Sequence, residues 1–428
     1  MTKGRNLMIK EIYDYLNDIQ IIDTHEHLTP FQKERPCGDV LTDFLEHYFS
    51  TDLISAGLSL DDYNRIMSDE LTITEKWSIV EPFWRTCKYT GYGQSLAIAA
   101  RDIYGIEEIC ADTIEALNDA FLGSFREDHY KKILKEKCNI KASILDCWGL
   151  IPFDTRYFVA ANRIDMLIQP QNGGQIMELE QAAGITVCGF EDYLRACEIR
   201  LEQYRKVSRI LKCALAYSRS LDFARTTRAD AESAFNKLFY SGSGFAIHRE
   251  EQTYSCSPDL TNYLFRHIIS LAQEKGMILQ IHTGLQEGNG NILAHSNPSR
   301  LNEIFHEYPN MKFDVFHIGY PYQNELGALC KMYPNVYIDM CWAHIISPAA
   351  CRRILSEWLE LFSYTKISGF GGDYRVLDGV YGHQYLARRN IAAALSEKVQ
   401  EGLFGIEEAC RIGKAILFDN PSGIFGIE

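Results

Sequence analysis

Short apolar runs alternate with amphipathic stretches of helix length along most of this chain, and that alternation limits the fold more than any other feature. The run IQIIDTHEHL (19–28) is apolar and turns polar at its end. Strand-like runs follow at KASILDC (141–147), TRYFVAANRI (155–164), RILKCALAY (209–217) and GMILQIHTG (276–284), then at KFDVFHIG (312–319), NVYIDMC (335–341) and YTKISGFGGD (364–373). The stretches between them include FEDYLRACEIRLEQYRKV, LTNYLFRHIISLAQEK, YQNELGALCKMY and PAACRRILSEWLELF, whose apolar residues recur with helical spacing. Strands separated by helices pair in parallel, and eight of them close a barrel. The expected fold is therefore α/β, a (β/α)8 TIM barrel. A doubly wound open sheet is the alternative, but no Gly-x-Gly-x-x-Gly follows the first strand to suit a dinucleotide. Residues 29–137 switch to helical periodicity without a Pro/Gly/Ser linker, so they are expected as a helical excursion inside one barrel domain spanning 1–428.

The net charge of −14 argues against a nucleic-acid partner, since nothing would neutralise phosphates over an extended face. It leaves room for a small anionic substrate, because one pocket arginine is enough for that. No stretch reaches the roughly 20 apolar residues of a membrane span. The opening MTKGRNLMIKEIYDYLND carries acidic residues before any signal-like apolar run. The 13 cysteines are scattered, with no Cys-x-x-Cys, which fits free thiols in a reducing compartment. The expectation is a cytoplasmic protein acting on a small molecule; a homo-oligomer is compatible with the sequence but not legible in it.

His25 and His27 stand two apart on an apolar strand, so both side chains leave one face. Paired neutral imidazoles suit a single divalent ion, zinc above all. His282 ends MILQIH, His317 ends FDVFH and Asp373 ends ISGFGGD. In a barrel the C-terminal strand ends converge, so these separated residues are expected to meet. His344 and His383 follow the last two strands and could line the same pocket. His47, His129, His248, His267, His295 and His306 lack strand-end placement and are read as structural. Lys212 sits early on the fourth strand, where a snorkelling or internally paired side chain is the plain expectation. Arg219, just past that strand, is a candidate substrate contact. Trp342, after the seventh strand, is a candidate pocket wall, although a core tryptophan is the commoner case.

His-x-His on the first strand, a His on the fifth, a His on the sixth and an Asp on the eighth together resemble the amidohydrolase superfamily over nearly the whole chain. The resemblance implies His25, His27 and Asp373 as metal ligands, with His282 in the place of the fifth-strand ligand and His317 in that of the sixth-strand His. It also makes Lys212 a candidate for the carboxylated lysine that bridges two metals in some members. A narrower resemblance is to uronate isomerases. It rests on the long helical excursion, RYFVAANRID at 156–165 and DYRVLD at 373–378, while the ending FDNPSGIFGI resembles the close of amidohydrolase-type barrels. It implies Arg163 and Arg375 as the groups that hold a sugar acid's carboxylate and hydroxyls. VFHIGYP departs from the isomerase pattern by supplying His317 in the hydrolase manner, and IHTGLQEGNGN is closer to the hydrolase and decarboxylase branch.

On this balance the expected enzyme is a metal-dependent hydrolase of a small, carboxylated substrate. One divalent ion, zinc, would activate water, Asp373 would act as general base and His317 would orient the carbonyl. The alternative is a uronate isomerase that interconverts aldose and ketose forms of a sugar acid, with Arg163 and Arg375 as the carboxylate clamp. Non-oxidative decarboxylation of an aromatic or pyrone acid, and a barrel that only binds a ligand, complete the readings.

Overall fold

Eight parallel strands in the order β1 to β8 form one sheet in the computed structural model, which describes residues 2–36, 38–126, 128–241 and 256–427. They are β1 (Ile21–Glu26), β2 (Ile140–Cys147), β3 (Phe158–Arg163), β4 (Ile210–Cys213), β5 (Ile278–Ile281), β6 (Lys312–Val315), β7 (Val336–Asp339) and β8 (Ile367–Ser368). Each lies within or across one of the expected apolar runs. The later strands stop short of those runs, so His282, His317 and Asp373 stand beyond regular pairing rather than on its last residue. Closure comes from the segment after β8: Thr24 N–H donates to Phe370 O at 3.0 Å, Asp373 N–H to His25 O at 2.7 Å, and His27 N–H to Tyr374 O at 3.1 Å. The sheet is thereby a TIM barrel. His248 lies outside the described residues.

Branched side chains fill the barrel floor, as its taper demands. Ile22, Ile144, Ala161, Ile210 and Ile278 form one buried cluster, to which Ile424, Phe425 and Ile427 from the end of the chain are added. Side chains alternate along a strand. Two residues above Ile210 and Ile278 the same faces therefore carry Lys212 and Gln280, and the interior turns polar toward the mouth. Asp314 and Asp339 join that layer, both fully buried.

Between β1 and β2 the chain is helical, with Val40–Leu45, Tyr48–Ser55, Leu60–Met67, Ile73–Cys87, Gly91–Tyr104 and Ile114–Leu122 among its helices. Local chemistry starts several of them. Asp39 accepts from the N–H groups of Leu41 and Thr42, and Thr72 and Glu75 form a reciprocal capping box. This helical layer is pressed against the long helix Leu377–Gln400 that follows β8. Glycine makes the approach feasible: a Cβ on Gly382 would fall on the Ser95 carbonyl oxygen, and one on Gly91 on that of Ile345. The cysteines at described positions are free thiols. Among the described residues no helix is long and apolar enough to cross a membrane.

Because the Ser95 carbonyl belongs to a helix backbone and cannot rotate away, Gly382→Ala must part the two helices. A loss of about 1–3 kcal/mol is expected, the usual cost of overpacking, read as a lower denaturation midpoint. An unchanged midpoint would mean that this contact is slack.

Candidate metal centre

A register shift in β1 between Asp23 and Glu26 breaks simple pairing around His25. His25 is fully buried, whereas the His27 side chain keeps 23% of its surface exposed and faces the mouth. Asp373 reaches them from the other side of the closure. Its Oδ1 is 3.0 Å from His27 Nε2 and 3.8 Å from His25 Nε2, and its Oδ2 is 3.7 Å from His317 Nε2. The ligand atoms of His25, His27 and Asp373 all lie within 4.8 Å of one another. His25 Nε2 is buried and has no hydrogen-bond partner among the described residues. Two imidazole nitrogens and a carboxylate around an orphaned lone pair fit a divalent ion, with zinc first among those such a donor set suits.

His282 and His317 form a second arrangement beside the first. His282 Nε2 donates to Leu285 O at 2.9 Å and His317 Nδ1 to Cys341 O at 2.9 Å. Carbonyl oxygens only accept, so both outer nitrogens carry hydrogen. The inner nitrogens, His282 Nδ1 and His317 Nε2, then face each other at 3.0 Å with lone pairs on both. That arrangement calls for a cation, either a shared proton or a metal ion.

Comparison with known proteins agrees with the geometry. Residues 211–405 match the amidohydrolase family model. Protein fluG of Emericella nidulans is 30% identical over 229 residues, 50% of this chain but only 25% of that protein's length. The uronate isomerase of Corynebacterium efficiens is 23% identical over 455 residues, covering 97% of this chain and 95% of that one. The crystal structure of glucuronate isomerase from Caulobacter crescentus superposes with a TM-score of 0.77 at 17% identity, over 99% of this chain and 95% of that one. Over residues 211–405 the chain is similar to amidohydrolases, and over nearly its whole length it shares the fold of the uronate isomerase structures.

The candidate ligands are held by partners of opposite effect. Burial alone would raise the Asp373 carboxyl, but the His27 hydrogen bond and the charges of His27, His317 and His25 hold it well below the usual range. Burial alone would lower His27, yet Asp146 and Asp373 raise it above 6.5. Burial, then Lys212, lowers His25 well below 6.5, and burial holds His317 at about 4. His27 Nδ1 is 3.2 Å from Asp146 Oδ2. Arg163 grips that carboxylate through Nε at 2.8 and 2.9 Å and through Nη2 at 2.6 Å, and its guanidinium lies 4.0 Å from the Trp148 ring centroid.

The other expected residues are spread more widely. Arg375 is at the mouth, its side chain 60% exposed and 3.5 Å from Glu46. Lys212 is buried with Nζ 3.6 Å from the Phe316 ring centroid, inside the barrel rather than at a strand tip. Arg219 is occupied elsewhere, bonding Ser220 O and Asp222 O in its own loop and Asn262 on the helix Pro258–Glu274. Trp342 is buried, stacked on Tyr48 at 4.4 Å with the His317 ring edge-on at 5.1 Å. His344 and His383 donate to the Gly369 and Gly372 carbonyls, bracing the closure segment from behind. His129 pairs with Asp378.

His47 and Tyr48 join the site although neither stands at a strand end. Tyr48 donates to Asp373 O at 2.5 Å, and the His47 ring is 6.1 Å from that of His27 and lowered to about 3 by burial and by His27. The helical excursion carries them to the mouth, and no period in the sequence announces that. Asp146 was more accessible to reasoning, as the polar tip of the apolar run KASILDC. Left-handed backbone marks the mouth: His47 (φ 73°), His317 (64°), Ile318 (52°), Trp342 (61°) and Asp373 (58°).

About one zinc per chain is expected on protein purified without chelator, and a stoichiometry near two would bring His282, His317 and Lys212 into the ligand set. Because the proton on His27 competes with the ion from above pH 6.5 downward, zinc affinity should rise with pH through that range. Asp373→Asn should lower affinity at least tenfold (about 1.4 kcal/mol) with the fold intact by circular dichroism. Undiminished zinc binding by that variant would remove Asp373 from the ligands.

Proposed function

We propose that the protein is a metal-dependent uronate isomerase, interconverting the aldose and ketose forms of an open-chain sugar acid. The observation that carries this reading is likeness along the whole chain, helical excursion included, to proteins described as uronate isomerases. It displaces the hydrolase first expected from His317.

The reaction moves one hydrogen from C2 to C1 and one from the C2 hydroxyl to the C1 oxygen, and consumes no water. A divalent ion held by His25, His27 and Asp373 would polarise the oxygens at C1 and C2. Arg375 takes the sugar's carboxylate at the mouth, where its side chain is 60% exposed and only loosely paired with Glu46 at 3.5 Å. Arg163 acts one step removed: it holds Asp146, and Asp146 holds His27. Asp373 Oδ2, the oxygen not bonded to His27, accepts the C2 proton and returns it at C1. Trp342, stacked on Tyr48 and edge-on to His317, would wall the substrate's place beside it.

The His282–His317 pair favours a second reading, a hydrolase with two metals. The two are separated by offering glucuronate and galacturonate, then lactones and amides of small acids, in ¹⁸O-labelled water, with NMR and mass spectrometry of the products. Ketone formation from a uronate without ¹⁸O in a new carboxylate is expected. Arg375→Ala should lower kcat/KM by about 10- to 150-fold, the value of a charge-assisted hydrogen bond of roughly 1.5–3 kcal/mol. Label entering a new carboxylate, lost in His317→Ala, would overturn the isomerase in favour of the hydrolase.

A further inference from the structure

The two first-strand histidines lean on different kinds of partner. His27 is oriented by a carboxylate, Asp146. His25, deeper in the barrel, places Nδ1 3.3 Å from Gln280 Oε1. Gln280 is fully buried on β5, two residues before His282. Its amide nitrogen lies 2.9 Å from Thr24 O and 3.2 Å from Asp314 Oδ2.

An amide can be turned end for end, but only one orientation suits these neighbours. The Thr24 carbonyl can only accept, so it requires the Gln280 nitrogen on its side and puts the oxygen toward His25. An amide oxygen cannot donate. His25 must therefore carry its hydrogen on Nδ1 and keep the lone pair on Nε2, the nitrogen that is buried without a partner and faces Asp373. The opposite tautomer would put a hydrogen on Nε2, on the side of Asp373 Oδ1 3.8 Å away, and leave no lone pair there for a metal ion.

We infer that Gln280 is the positioning residue of the metal centre: the Thr24 carbonyl sets the Gln280 amide, the amide sets the His25 tautomer, and the tautomer presents Nε2 for coordination. Outer partners that fix a ligand imidazole are typically worth about 10–100-fold in metal affinity. Gln280 would do this as a neutral amide, where His27 has a charged partner. Only the last link rests on the metal-binding reading of the site; the first two hold for the protein without metal.

The test begins on the full-length wild-type protein, stripped of metal and labelled with ¹⁵N-histidine, with the His25 signals assigned by their loss in His25→Asn. Hydrogen on Nδ1 and a bare Nε2 are expected; hydrogen on Nε2 would overturn the inference without any variant at the amide. Gln280→Met, of similar volume, should release the tautomer and weaken Zn²⁺ binding about 10–100-fold in chelator competition. Gln280→Glu keeps an acceptor for His25 and should restore both the tautomer and most of the affinity. A folded Gln280→Met protein with wild-type tautomer and wild-type Zn²⁺ affinity would overturn the assignment, as would a Gln280→Glu protein no better than Gln280→Met. Wild-type protein that shows the Nδ1–H tautomer but takes up no Zn²⁺ would instead refute the metal reading while leaving the Thr24–Gln280–His25 relay in place.

Discussion

Barrel closure between β1 and the segment 370–374 is the contact on which the site depends. Backbone hydrogen bonds from Thr24, His27 and Asp373 cross this seam, and β1 side chains reinforce them. Asp23 accepts from Gly372 N–H at 2.9 Å and Glu26 from Tyr374 N–H at 2.9 Å. Gly372 has no alternative there, since a Cβ would fall on the Glu26 carboxyl. The first and last strands thus meet through the residues flanking His25, His27 and Asp373. The distance between histidines and aspartate is set by sheet geometry rather than by flexible side chains, which is the placement a site of fixed geometry requires.

The seam has an electrostatic cost. Burial raises Asp23 to about 6 and lifts Glu26 well above the usual carboxylate range, and the same holds for Asp314 and for Asp339 at about 7. In each pair the more strongly raised carboxyl, Glu26 beside Asp23 and Asp314 beside Asp339, is driven toward its neutral form and can bond its neighbour, so the interior beneath the site carries less charge than its carboxyls would suggest. Lys212 is its embedded cation, resting on Phe316, and it lowers the histidines above it. An apolar floor, a largely neutral polar layer and an ionised mouth follow one another along the barrel axis.

The alternation of runs made the eight strands legible, because each apolar segment must be buried and only a barrel buries eight of them in that order. The strand-end histidines and Asp373 were legible for the same reason. What escaped were the contributions that depend on packing between distant segments. His47 and Tyr48 reach the mouth only because the helical excursion folds back on the helix after β8. Arg163 reads as a clamp in sequence, and only the β2–β3 pairing shows it beside Asp146. Gln280 is an unremarkable glutamine until Thr24 is placed across the barrel from it. The hydrolase expectation came from weighing His317 by its family resemblance, and a single histidine carries less than likeness over the full chain.

The left-handed residues at the mouth carry an implication for how this sequence would drift under selection. A side chain held at positive φ costs of order 1–3 kcal/mol, which glycine avoids and asparagine reduces. His47, Trp342 and Asp373 all stand there with side chains that line the candidate site. A search that rewarded heat tolerance alone would replace these positions first, and would reach a sturdier barrel by dismantling its mouth. Where the backbone relaxes most readily is where this molecule has the most to forfeit.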